Sequence, residues 1–331
     1  MFKKIFILGI VLGIFLFLVV RVSLGQDEIL SDPGLTPDSP FYFLEIIAEK
    51  IGNLFTFGDK AKAERMLTLM EERMAETHKM LEEGKIEYAQ KAFTRYQAHF
   101  QECEKRLEKM EKEGKSIDDV SKKVATVTEK HIAVLERVYE KVPDQAKDAI
   151  LHAMEVSLTG QERALSALGR KNPETALRVQ LRIMDQRVER IKKHTQDKNL
   201  LAEKQALKNY KRGEKEIKVL LERAKKKGVN VEGLETLVLE KTARHIETLW
   251  KVYEKAPESA KEGLLRAIEN SMKGHQKIKE VLKNKVEKIK EKTTISEKVR
   301  EEIKKEIQKK ESEKKIFPSP KLKPEISPIP H

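Results

Sequence analysis

The chain has 331 residues, of which 37% are charged and only 5% aromatic, and its formal net charge is +13 at pH 7. Lys, Glu, Arg, Leu and Ala dominate, which is typical of long solvated helices because these side chains lose little rotamer freedom in a helix. A hydrophobic content of 39% is low for a thick globular core but suffices for thin bundles, and ordered apolar spacing excludes a wholly disordered chain.

The first 25 residues have the pattern of an export segment. A positive start (Met1-Phe2-Lys3-Lys4) precedes sixteen apolar or Gly residues, Ile5 to Val20, and the small residues Ser23 and Gly25 suit cleavage after Gly25. The apolar run would cover roughly 24 Å of a hydrocarbon core of about 30 Å, so a cleaved signal peptide and a retained membrane anchor both stay open. Either alternative predicts a body on the extracytoplasmic face of the cytoplasmic membrane or a secreted body.

A short helix is predicted after a linker at residues 26–37. Ser39 is the expected N-cap and Pro40 lies in the first turn, where its missing N–H costs nothing. The apolar residues repeat at intervals of three and four and so define one strongly apolar face, formed by Phe41, Leu44, Ile47, Ile51 and Leu54.

The chain then repeats itself at an offset of 114 positions. Residues 60–167 align with residues 174–281 without a gap. Rare residue types coincide in this register: Arg73 with Arg187, Tyr96 with Tyr210, His131 with His245, Tyr139 with Tyr253, and Pro143 with Pro257. Composition alone would align scattered Lys and Glu but not Tyr, His and Pro, so the register indicates a tandem duplication.

Each copy contains four predicted helices. They span about 59–83, 85–113, 116–141 and 143–168 in the first unit, and about 173–197, 199–227, 230–255 and 257–291 in the second. Gly and Pro supply the breaks, and Asn172-Pro173 caps the start of the second unit. Long helices joined by short turns favour antiparallel neighbours.

The predicted fold is therefore all-α: an elongated antiparallel helical bundle made of two tandem four-helix units. The short helix and the first unit occupy residues 38–168, and the second unit occupies residues 169–291. A charged helix at 292–315 has few apolar anchors and is expected to project, and residues 316–331 form a Pro-rich, disordered tail.

One stretch resembles a known family. Pro33-Gly34-Leu35-Thr36-Pro37-Asp38-Ser39-Pro40-Phe41-Tyr42-Phe43-Leu44, followed by Leu54-Phe55-Thr56-Phe57, Lys60-Ala61 and Arg73-Met74-Ala75-Glu76, is similar to domain-of-unknown-function family 5667. The specific part covers about residues 33–100. The resemblance implies an extracytoplasmic or membrane-anchored helical domain and brings no assigned activity.

The positions retained in both copies are the candidate packing or interaction residues. Arg73/Arg187 and Tyr96/Tyr210 are interpreted as packing residues, with the Arg stem covering apolar surface and the Tyr hydroxyl reaching water. His131/His245 are interpreted as seam histidines that hydrogen-bond to a neighbouring helix, with a pH switch or ligand role as the alternative. Tyr139/Tyr253 complete the set.

No pattern for an enzyme, a metal or a cofactor is present in the sequence. There is no His-Glu-x-x-His pair and no Gly-rich phosphate loop, and Glu129 and His131 lie two apart, which is wrong for a di-iron site. We therefore expect neither catalysis nor a cofactor.

Charge separates the two copies. The first unit carries −1, the second +9, and residues 282–331 carry +6. This predicts a protein or cell-envelope partner, and membrane contact through the N-terminal segment if it is uncleaved. Nucleic acid is not expected, because base-stacking aromatics are missing from the lysine clusters.

The preferred hypothesis is a structural or protein-interaction module, and the alternative is a basic protein that binds anionic lipid or polymer through residues 174–315.

Overall fold

The computed structural model describes residues 30–139, 141–282 and 297–316, and these residues form ten helices and no strand. The helices are α1 (Tyr42–Leu54), α2 (Asp59–Glu82), α3 (Ile86–Lys112), α4 (Asp118–Tyr139), α5 (Asp144–Lys171), α6 (Pro173–Gln196), α7 (Leu200–Lys226), α8 (Glu232–Lys255), α9 (Glu258–Leu282) and α10 (Glu297–Ile316). The all-α prediction is confirmed. The predicted export segment and the Pro-rich tail from residue 317 lie outside the described residues.

The eight long helices form four antiparallel hairpins, α2–α3, α4–α5, α6–α7 and α8–α9. The first helices of successive hairpins pack on each other in the order α2, α4, α6, α8, and the second helices pack in the order α3, α5, α7, α9. Each predicted four-helix unit is thus two stacked hairpins. The offset of 114 residues corresponds to two hairpins, which makes the protein a helical repeat.

Short turns connect the helices of the hairpins. Gly84, Gly114 and Gly228 follow their helices at φ +71°, +72° and +67°, the left-handed conformation that glycine adopts without strain. Lys198 takes the place equivalent to Gly84 and adopts φ +57° with a side chain. Asn172 caps α6 as predicted, since its Oδ1 accepts a hydrogen bond from the Thr175 amide at 3.1 Å.

Each unit has its own apolar core. One buried cluster runs from Ala63 to Ala164 and a second from Leu168 to Ile303. Between them lies a small cluster of three buried residues, Ala125, Leu165 and Ile183. The junction of the two units thus contains this cluster and Leu168 of α5, which is buried in the second core, together with the polar groups described below.

The C-terminal helix packs, and the prediction that it projects is wrong. Ile303 is fully buried in the core of the second unit. Trp250 Nε1 donates to Glu302 at 3.3 Å, and the Tyr253 hydroxyl donates to Glu306 at 2.7 Å. Two apolar anchors, Ile303 and the partly buried Ile307, and two hydrogen bonds hold a helix whose other side is solvated.

The short helix α1 lies on the first hairpin with its polar side inward. It begins at Tyr42, two residues after the expected start, because Ser39 Oγ accepts from the Phe41 amide within a preceding turn. The apolar face is exposed: Leu44, Ile47 and Ile51 keep 48–52% of their surface accessible.

Candidate functional site

A buried ionic network joins α1 to the first hairpin. Arg73 on α2 is 0% exposed, and its Nη2 lies 3.0 Å from Glu76 Oε1. Arg73 Nη1 donates to the Tyr42 hydroxyl at 2.8 Å, and that hydroxyl donates to Glu76 Oε2 at 2.8 Å. Tyr42, Arg73 and Glu76 are among the residues that carry the family resemblance, and they form one contact between two helices.

Glu49 of α1 extends this network to α3. Its carboxylate accepts from Arg95 Nη2 at 2.6 Å and lies 3.2 Å from His99 Nε2. Burial would raise the pKa of Glu49, but the hydrogen bonds and charges of His99 and Arg95 lower it to about 2. Burial dominates at Glu76 instead and raises its pKa to about 7 despite Arg73. Within the network, which also brings Glu45 and Glu72 to Arg73, the pKa of Glu49 is thus lowered and that of Glu76 is raised.

The equivalent positions of the second unit form the junction between the two units. Arg187 donates to Glu129 on α4 at 2.7 Å, to Gln161 on α5 at 2.7 Å and to the Asn209 carbonyl on α7 at 2.6 Å. Arg190, which replaces Glu76 in the repeat register, donates to Glu129 at 2.6 Å.

Glu136 completes the junction network on α4. It accepts from Arg190 Nε at 2.8 Å and from Asn209 Nδ2 at 2.6 Å. Burial opposes ionisation of Glu129 and Glu136, but the charges of the arginines lower the pKa of both carboxyls. Four helices from the two units therefore meet in one charged, hydrogen-bonded cluster.

The interpretation of the arginines as stems over apolar surface is wrong, because both guanidinium groups are buried and paired. The expectation of a wet Tyr hydroxyl is also wrong. Tyr96 is 0% and Tyr210 1% exposed, and both hydroxyls bond inside the core. Tyr139 is half-buried against the first core, and Tyr253 is buried near α10.

A duplicated Tyr–Ser–His group links three helices in each unit. The Tyr96 hydroxyl lies 3.0 Å from Ser157 Oγ and 3.3 Å from His131 Nδ1. In the second unit the corresponding distances from Tyr210 are 3.1 Å to Ser271 and 3.5 Å to His245. The serines are retained at the same offset of 114 positions, a signal that identifies them from the sequence once Tyr and His have been aligned.

The two groups differ in their surroundings. Burial, together with nearby Lys130, lowers the pKa of His131 to about 3, so its ring is neutral. His245 Nε2 lies 2.8 Å from Asp185 Oδ1, and Lys241 also donates to that carboxylate. In both groups the tyrosine separates serine from histidine, and Ser271 Oγ instead donates to Glu214 Oε1 at 2.6 Å. Neither group therefore has the serine–histidine contact of a nucleophile and its base.

A stripe of exposed lysines marks the outer side of α7. It consists of Lys204, Lys208, Lys211, Lys215 and Lys218, hereafter the lysine stripe. Within the described chain none of these five forms a salt bridge. The first unit carries Gln90, Thr94, Gln97, Gln101 and Glu104 at the equivalent positions. The charge difference between the copies is thus concentrated on one helix face.

The described residues contain no candidate metal site and no candidate membrane-spanning helix. No group of three or more His, Cys, Asp or Glu side chains there could hold a metal ion. Among the described helices, none combines the length and the apolar character needed to cross a membrane.

The fold and its networks define a helical-repeat protein. Residues 34–145 match the family model of a domain of unknown function (DUF5667), which confirms the resemblance seen in the motifs. A crystal structure of a de novo designed helical repeat protein (DHR64) is similar at 22% identity with a TM-score of 0.40, covering 68% of this chain and all of that one. No curated protein matches the chain.

Five residues of these networks are not among the candidates predicted from the sequence: Glu129, Glu136, Ser157, Arg190 and Ser271. Arg190 and the glutamates have no counterpart of the same kind at the offset of 114 positions, so a search for retained residues passes over them. A charged residue at a helix position otherwise surrounded by apolar neighbours is the signal that could have identified them, since buried charges need partners.

Proposed function

We propose that this protein is a non-catalytic, extracytoplasmic scaffold that uses its stack of hairpins to hold a protein or cell-envelope partner near a membrane. The observation that carries the proposal is the buried junction of Glu129, Arg187 and Arg190. It joins two separate cores into one continuous stack. Stacked hairpins present long surfaces built from successive helices, a layout that suits binding of extended partners.

The extracytoplasmic location in this proposal is inferred from the export pattern of the first 25 residues. The test is fractionation of cells that produce the full chain, followed by N-terminal sequencing of the recovered protein. A protein in the membrane fraction with Met1 retained supports a tether, and a protein in the exported fraction that starts at Gln26 supports release. Recovery in the cytoplasm with an intact N-terminus would refute an extracytoplasmic role.

The lysine stripe supports a second candidate function, binding of an anionic envelope polymer or lipid. Exposed ammonium groups without carboxylate partners are available to an external polyanion. A multivalent polyanion releases bound counterions when lysines neutralise it, so binding should weaken steeply with salt.

The chain provides its own control for this second function. A variant in which the lysine stripe is replaced by its first-unit counterparts (K204Q, K208T, K211Q, K215Q and K218E) should keep the fold, because these positions are exposed. Binding to dextran sulfate should fall by roughly tenfold or more at low salt, with a shallower salt dependence. Equal binding by both proteins would exclude the stripe as the binding surface.

A further inference from the structure

The exposed apolar surface of the described chain is concentrated around α1. Eight residues form what we call the outer stripe: Phe41, Phe43, Leu44, Ile47, Ile51, Leu54, Phe55 and Phe57, each 48–78% exposed. Its four phenylalanines expose on the order of 500 Å², if a whole Phe side chain offers about 200 Å². The largest apolar patch of an ordinary monomer covers about 300–600 Å², so the complete stripe exceeds that range.

The stripe faces outward because the other side of α1 is fixed. Tyr42 and Glu49 take part in the network around Arg73, and Asn53 Oδ1 accepts from Arg65 Nε at 3.0 Å. Turning the apolar face inward would remove these partners from a buried guanidinium, which is costly. The outward apolar face is therefore a built feature of the fold.

The chain length places this face close to the apolar segment that precedes it. Leu30 packs against the core of the first unit, and nine residues separate it from Val20, the end of the apolar run. Ten residue steps span at most about 35 Å. If the apolar run lies in a bilayer, Leu30 is held within about 35 Å of Val20. The first unit, on which α1 lies, is therefore close to the membrane.

The charged residues around α1 also favour contact of the outer stripe with a lipid surface. From residue 41 to 58, the only charged side chain at an exposed position is Lys50. Glu45 is partly buried near Arg73, while Glu49 is buried and paired with Arg95. The outward surface thus presents Phe, Leu, Ile and a lysine, and no exposed carboxylate to be repelled by anionic headgroups.

We propose that the outer stripe lies in the interfacial layer of a lipid bilayer, with α1 parallel to the membrane and the hairpin stack resting on it through the Arg73 network. This inference rests on the membrane-proximal location proposed above. It adds a second contact to the N-terminal segment, and two such contacts hold a protein on a membrane far better than one weak contact.

The experiment uses the full chain in vesicles of phosphatidylcholine and phosphatidylglycerol, with an environment-sensitive dye on Ile47→Cys. Val219→Cys is the matched control, because Val219 on α7 is 47% exposed and Ile47 is 48% exposed. Both dyes are placed in the full chain with the lysine-stripe substitutions given above, since Val219 adjoins Lys218 and the stripe could itself bind anionic lipid. Cys103 stays unlabelled, since it is buried and burial raises the pKa of its thiol to about 12. Lipids that carry a nitroxide near the headgroup, or deep in the acyl chain, serve as quenchers.

We expect the shallow nitroxide to quench the dye at position 47 by roughly half or more, the deep nitroxide to quench it less, and neither to quench the dye at position 219. Adding Leu44→Asp and Ile51→Asp should abolish the quenching. Quenching that survives those substitutions would mean that proximity alone brings the dye to the lipid, and would overturn the inference.

Two further outcomes also overturn it. Pyrene excimer emission from position 47 at low protein-to-lipid ratio would show that a second copy covers the stripe. Vesicle-bound protein without quenching at position 47 would refute the docking of α1 while leaving the tether intact. A failed tether is separately visible, because the fractionation experiment would then recover the chain either in the exported fraction with Gln26 as its first residue or in the cytoplasm.

Discussion

Removing Glu129 should uncouple the two units. Its carboxylate accepts from Arg187 at 2.7 Å, from Arg190 at 2.6 Å and from Gln161 at 2.8 Å, and its side chain is 2% exposed. In Glu129→Ala, Arg187 keeps only neutral partners, while Arg190 keeps Glu136. Breaking a buried pair in this way costs about 3–5 kcal/mol. That is a large part of a typical stability of about 5–15 kcal/mol.

The cost falls on the junction, which would keep the small apolar cluster, the contact of Leu168 with the second core and the Arg190–Glu136 pair. In a repeat protein, weakening one interface separates the unfolding of its two sides. Trp250 is the only tryptophan and lies in the second unit, so its fluorescence follows that unit, whereas circular dichroism at 222 nm follows both. In urea the two signals should change together in the unmodified chain and separately in Glu129→Ala.

Glu155→Ala is the matched control. Glu155 also bridges the units, through Arg212 at 2.8 Å, but its side chain is 55% exposed. An exposed pair contributes about 0–1 kcal/mol, so this variant should unfold like the unmodified chain. If Glu129→Ala destabilises no more than Glu155→Ala, or if its two signals still coincide, the buried network does not couple the units.

Three further predictions concern single positions. Burial raises the pKa of Glu203 from 4.5 to about 7, so the folded state holds this proton more tightly and stability should fall as pH rises from 4.5 to 7. Glu203→Gln should reduce this dependence of stability on pH and add up to about 3 kcal/mol to the free energy of unfolding at pH 8, measured by urea unfolding. An unchanged pH dependence would contradict the raised pKa of Glu203. Lys198→Gly should raise the free energy of unfolding by roughly 1 kcal/mol, seen as a higher melting temperature, because glycine adopts the left-handed conformation of residue 198 without strain. An unchanged melting temperature would show that Lys198 is not strained. Gly160→Ala should destabilise by about 1–3 kcal/mol, since the new Cβ would overlap the Phe100 ring. The equivalent Gly274→Ala meets nothing within 4 Å and should be neutral or slightly stabilising. Equal effects of the two glycine substitutions would contradict the packing.

The local features of the fold were predictable. The breaks at Gly84 and Gly114 and the cap at Asn172 follow from chemistry within a few residues of each other, and the offset of 114 residues follows from aligning the chain with itself. From α2 to α8, helix starts and ends lie within three residues of their predicted positions, whereas the predicted end at 291 and the predicted start at 292 lie outside the described residues. Turn and cap signals act over one helical turn, which is why a single sequence suffices to locate them.

The partners of the retained residues were not predictable. Arg73 and Arg187 occupy the same place in the repeat, yet Arg73 pairs mainly with Glu76 on its own helix, and Arg187 with Glu129, 58 positions earlier. The difference arises because α1 covers α2, whereas a complete hairpin, α4–α5, precedes α6. The neighbour in the stack decides which charge each arginine meets.

The sequence by itself determined an all-α duplicated chain, its helix ends and the apolar stripe of α1. Only the tertiary structure decided that this stripe faces outward, that α10 packs through Ile303, and that the two units meet through Glu129 and Arg190. Periodicity fixes which residues of a helix share a face. It does not fix which way that face turns, because the direction depends on the buried partners that other helices supply.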